Sequence, residues 1–123
     1  MTRNLPQNLH PTAELLALLK IMGPDEAPAL LTQLHADLMG CEDLIAMATP
    51  TCDWQMIRRA SHNLIALAGT AGATALQQMA EDMNRIAHAE DRLAFAEIAP
   101  ATHTALAGLA DLIRSLAANR GRK

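Results

Sequence analysis

The sequence predicts an all-α fold, an up-and-down four-helix bundle preceded by an additional short N-terminal helix. Three observations predict it. The apolar mass of the chain is Leu, Ala, Met and Ile, with one Trp, one Phe and no Tyr, and this favours helices over sheets. Apolar residues recur in alternating steps of three and four, the spacing of one helix face. Proline, glycine and capping residues divide that pattern into helix-sized segments. The length, 123 residues, suits one compact domain.

Each segment has its own signals. Residues 1–11 contain Asn4, Pro6, Asn8 and Pro11 and read as an irregular leader. Thr12 is placed to cap a short first helix carrying Leu15, Leu16, Leu19 and Met22 on one side, and Gly23-Pro24 stops it. A second helix starts near Asp25, with Pro28 tolerated because it lies close to the start. Its seam is Ala27, Leu31, Leu34, Leu38, Cys41, Ile45 and Ala48, and Thr49-Pro50 ends it.

Thr51 sits where an N-cap begins the third helix, with Asp53 near the positive end, and this helix runs to about Thr70. Past Gly72 a fourth helix turns Leu76, Met79, Ala80, Met83 and Ala87 inward and Gln77, Gln78, Asp82 and Arg85 outward. The last segment shows the stripe Leu106, Leu109, Ile113 and Leu116, with a kink or break expected at Pro100. The bundle is assigned to residues 12–119, and Arg120, Arg122 and Lys123 make 120–123 a basic tail. Short linkers between neighbours imply the up-and-down order.

Charge and cysteine content narrow the function classes. A net charge of −3 gives no broad attraction to nucleic acid or to an anionic membrane. The basic tail reads as favourable charge at a helix C-terminus. The stretch Leu64 to Met79 is interrupted by Gly69 and Gly72 and is too short and mixed to span a bilayer. Cys41 and Cys52 have neither metal-type spacing nor the number for a disulfide framework. His10, His35, His88 and His103 lie on separate segments and form no four-residue pair, so no metal site is expected. A cytoplasmic monomer without a bound cofactor is the expectation.

The third helix carries the chemistry. At 100° per residue, Met56, Ile57, Ala60, Leu64, Leu67, Ala68 and Ala71 fall on one side and belong in the core. His62 centres the opposite side, with Gln55, Arg58, Arg59, Ile65, Ala66 and Gly69 around it. Ala66 and Gly69 have almost no side chain, which leaves the imidazole accessible to another protein. Ile65 offers an apolar contact. A neutral imidazole nitrogen is a nucleophile near neutral pH, and the guanidinium groups of Arg58 and Arg59 suit a phosphoryl group.

The stretch from Ser61 through His62, Leu64, Gly72 and Ala73 to Leu76 resembles the signature of the histidine-containing phosphotransfer (HPt) family. That family shows a histidine, a Leu two residues on, a Gly-Ala pair ten and eleven residues on, and a Leu at fourteen. His62, Leu64, Gly72, Ala73 and Leu76 stand in that register, and Ala60 and Gln77-Gln78 also look similar. The match covers about sixteen residues. Ile65 stands where the family has Lys, and Ala66 where it has Gly.

The resemblance implies a phosphoryl carrier rather than an autonomous kinase. His62 would accept a phosphoryl group from an aspartyl phosphate on a receiver domain and pass it to another. The expected partners are receiver domains of response regulators or hybrid histidine kinases, with Mg²⁺ held by the receiver. The docking face would combine the outer sides of the second and third helices. Gln78 or Asn84 would fix the imidazole tautomer, and Arg58, Arg59 or, from the fourth helix, Arg85 would stand in for the missing Lys. The alternative is an HPt-like binding module that docks without phosphotransfer, which Ile65 motivates.

Overall fold

Segments rich in Leu and Ala have one apolar face to remove from water, and helices satisfy their backbone groups while doing so. The computed structural model describes residues 12–121, and there these segments form α1 (Ala13–Ala48), α2 (Trp54–Thr70), α3 (Thr74–Ala89) and α4 (Arg92–Gly121). A 3-10 turn, Thr49–Thr51, follows α1. No strand occurs among the described residues. Helix α1 packs on α2 and α4, and α3 packs on the same two, so the four form a closed square of neighbours. With such short connections, consecutive helices run antiparallel.

The core lies along the axis of this square. Leu31, Leu34, Leu38 and Ile45 of α1 meet Ile57 and Leu64 of α2, Leu76 and Met83 of α3, and Leu106 and Ile113 of α4 in one buried cluster. Ala27, Ala48, Ala60, Ala68, Ala80 and Ala87 are also buried and let the helices approach closely. The only two aromatic residues pair edge-to-face, Trp54 on Phe95, with ring centroids 6.0 Å apart.

Several expectations are corrected. The expected short N-terminal helix, residues 13–22, runs on into the second as one element, α1. The two arms are divided where Gly23-Pro24 was expected to end the first, since Gly23 (φ 85°, ψ 169°) is not helical. Glycine adopts that backbone freely, and Pro24 disfavours a helical conformation for the residue before it. Pro100 does not break α4, which runs through it to Gly121, past the expected boundary at 119. Phe95, Thr102 and Leu106 are buried on either side of it and hold the helix to the bundle. Asp53, not Thr51, caps α2, accepting from the Met56 N–H at 3.2 Å. Met56, Leu67 and Met79 are half-buried, and Leu16 is exposed. The leader 1–11 and residues 122–123 of the tail lie outside the described residues.

The arm is fastened to the turn between α2 and α3. Thr12 Oγ1 accepts from the Leu15 N–H at 3.1 Å and donates to the Ala71 carbonyl at 2.7 Å. Gly72 lies beneath with φ 69°, and a β-carbon there would press on Thr12 and Glu14. Gly72→Ala therefore destabilises the fold by about 1–2 kcal/mol, from left-handed strain and the lost fit. At Gly40, helical and with open space around it, Gly→Ala has the opposite sign and adds up to about 1 kcal/mol. Urea unfolding of the two variants measures both.

Candidate functional site

The rotation of α2 is set by what it buries. Ile57, Ala60, Leu64 and Ala68 are fully buried, and Ala71 nearly so. His62 consequently stands exposed in the middle of the helix. Among the described residues it makes no side-chain hydrogen bond and no ion pair. Helical side chains lean toward the N-terminus, so the imidazole overhangs the turn that holds Arg58 and Arg59. Arg58 is half-buried and Arg59 exposed. Neither takes part in an ion pair among the described residues.

The two sides of the His62 ridge differ. Toward α1 lies a groove of about 500 Å³ lined by Ala36, Asp37, Gly40, Cys41 and Leu44 of α1 and Asn63, Ala66 and Leu67 of α2. Its residues at 36, 40 and 66 are nearly bare of side chain. Toward α3, Gln77 Nε2 reaches across and donates to the Ile65 carbonyl at 3.4 Å. A β-carbon on Gly69 would lie 2.8 Å from that Nε2. The missing side chain of Gly69 thus makes room for Gln77, as well as leaving the ridge low.

The structure brings some of the expected site residues together and not others. His62, Arg58, Arg59, Ala66 and Gly69 share one face of α2. Ile65 is half-buried and packs against the core, so it is in part a packing residue. Gln78 and Arg85 are both drawn to Asp82 on their own helix, at 3.3 Å and 3.0 Å. Asn84 is half-buried, and neither it nor Gln78 hydrogen-bonds His62. The expected tautomer-fixing contact and the expected role of Arg85 beside the imidazole are therefore absent among the described residues.

Sequence reasoning placed the docking face on the second and third helices but named no residue of α1 there, and it placed Gln77 outward without its contact to α2. Gly40 was the available signal: a mid-helix glycine costs about 1 kcal/mol against Ala, yet no neighbour here requires it. Of the other histidines, His103 Nδ1 meets Glu42 Oε2 at 2.8 Å, His35 is half-buried and His88 exposed. His10 lies outside the described residues. Among the described residues no three His, Cys, Asp or Glu side chains gather as a metal site would need, and no helix is long and apolar enough to cross a membrane.

Comparison with protein-family models, with curated proteins and with solved structures finds no match. The site therefore stands on its own geometry.

Cys41, in the floor of the groove, has its thiol pushed up from 9.0 to about 11, chiefly by burial and further by the Asp37 carboxylate. A group whose pKa is raised by folding stabilises the fold fully below its unfolded pKa. That contribution is lost as pH climbs through the folded value. Stability should therefore fall between pH 9 and about 11, and Cys41→Ala should flatten the slope. The chain has no Tyr to obscure the transition, so denaturant midpoints across that range read it directly.

Proposed function

We propose that this chain is a histidine-containing phosphotransfer domain that relays a phosphoryl group through His62 between receiver domains. The observation that carries the proposal is an exposed imidazole, without a hydrogen bond among the described residues, on a ridge beside a groove with bare walls at Ala36, Gly40 and Ala66. The resemblance of the Ser61–Leu76 stretch to the family signature supports the same reading. The proposed partners are receivers of response regulators or hybrid histidine kinases, and the proposed setting is the cytoplasm, with the chain acting as a monomer.

In the proposed step, the lone pair of neutral His62 Nε2 attacks the phosphorus of a receiver's aspartyl phosphate. The N–P bond forms as the P–O bond to the aspartate breaks, and the electron pair returns to its carboxylate. Transfer onward reverses these changes on a second receiver. The receiver supplies the aspartate and the Mg²⁺ that offsets charge in the transfer. This chain supplies a positioned nucleophile, a surface for docking, and the guanidinium groups of Arg58 and Arg59 in the turn that the imidazole overhangs. It is a carrier and not a kinase.

Ile65 favours a second reading. An apolar, half-buried residue in the place of the family's Lys suits a module that docks a receiver or kinase without accepting phosphate. The two readings part in a transfer assay with a panel of phosphorylated receivers. Phosphotransfer predicts an acid-labile, base-stable label on the wild type that vanishes in His62→Ala. Receiver binding without label identifies the docking module instead. Under the first reading, Ile65→Lys restores a cation beside the phosphoryl group and speeds transfer up to about fivefold, the equivalent of roughly 1 kcal/mol.

A further inference from the structure

The face of the bundle formed by α1 and α4 lies away from the Arg-bearing side of α2 and has a different character. A cleft of about 440 Å³ opens there, lined by Ile45, Ala46, Pro50, Ala99, Pro100 and Leu106. At one end Glu42 Oε2 lies 2.8 Å from His103 Nδ1 across the two helices. Asp43, next to Glu42, is exposed, as is Glu97 one turn before Pro100.

The charge around this cleft has one sign. No Lys or Arg occurs in residues 25–57, which include the α1 side, nor in residues 93–113, which include the α4 side. The same stretches carry Asp25, Glu26, Asp37, Glu42, Asp43 and Asp53, and Glu97 and Asp111. Cations sit further off, at Lys20 on the first arm of α1, Arg92 and Arg114 toward the two ends of α4, Arg58 and Arg59 on α2 and Arg85 on α3. An apolar cleft rimmed by carboxylates is complementary to an apolar ligand flanked by positive charge.

We propose that the α1–α4 cleft is a second docking site, for a basic amphipathic helix of a protein partner. The cleft follows the seam of two helices, so a third helix can lay its apolar stripe along it. From Glu42 to Pro50 the wall extends about 12 Å, which is roughly two turns and accommodates anchors at i, i+3 or i+4, and i+7. Lys or Arg beside those anchors meets Glu42, Asp43 and Glu97. The occupant approaches along α4, so it leaves the His62 groove on the α2 side of α1 open. The inference does not depend on phosphotransfer and survives its failure.

The test is a titration of the isotopically labelled chain with a capped Leu–Lys amphipathic peptide, followed residue by residue in NMR spectra. A Leu–Glu peptide of the same spacing is the charge control. Saturable shifts should gather on Glu42, Ile45, Ala46, Ala99, His103 and Leu106, with no response to the Leu–Glu peptide. Ala46→Arg places a cation at the mouth of the cleft and should weaken binding about tenfold. Ala46 is exposed and Arg is a good helix former, so the variant's own spectrum should report an intact fold. Glu42→Gln, with the cleft unfilled, should weaken binding in the same direction. No binding, equal binding of both peptides, shifts centred on Gly40, Asn63 and Ala66, or an affinity unmoved by both variants would overturn the proposal.

Discussion

Burial of one face of α2 is the constraint on which the rest of the molecule depends. Ile57, Ala60, Leu64 and Ala68 have no exposed surface, and each sits against a neighbouring helix. Turning α2 by one residue, 100°, would carry part of that set toward water and swing His62 toward the seam. Exposing a single buried Leu or Ile costs about 1.5–3 kcal/mol, so the orientation is firmly set. The display of the imidazole is thus a consequence of core packing. No loop and no local strain are needed to present it.

What surrounds the imidazole follows from the helices on either side. Helix α1 contributes Ala36 and Gly40, which leave a groove open beside the ridge. Helix α3 contributes Gln77, which fills the space above Gly69 and ties the two helices through the Ile65 carbonyl. Two glycines on the same surface therefore have different causes. Gly69 admits a neighbour, and Gly40 leaves room with none. Charge is divided in a similar way, with Arg58 and Arg59 on the ridge of α2 and Glu42, Asp43 and Glu97 around the α1–α4 cleft, while Arg92 and Arg114 lie beyond it on α4.

Periodicity made much of this legible in the sequence. Every seam position from Ala27 to Ala48 is buried, as are the inward positions of α2 at Ile57, Ala60, Leu64, Ala68 and Ala71. The exposure of His62 followed from the same count. Other features were hidden for physical reasons. Ser61 and Thr102 are buried because each hydroxyl donates to a carbonyl one turn back, Ile57 and Ile98, which pattern reading treats as polar and outward. Pro100 reads as a breaker, yet burial of its neighbours holds α4 together. The reach of Gln77 to α2 and the attachment of Gln78 and Arg85 to Asp82 are choices of side-chain partner, which spacing alone does not fix.

The central claim concerns one atom, Nε2 of His62, and it is tested most directly there. The chain, labelled with ¹⁵N in its histidines and mixed with a phosphorylated receiver, is observed for coupling between imidazole nitrogen and ³¹P. The account predicts a single coupled nitrogen, Nε2 of His62, with His35, His88 and His103 unchanged. Coupling at another histidine, or none at all while a receiver that binds the chain keeps its phosphate, would contradict it.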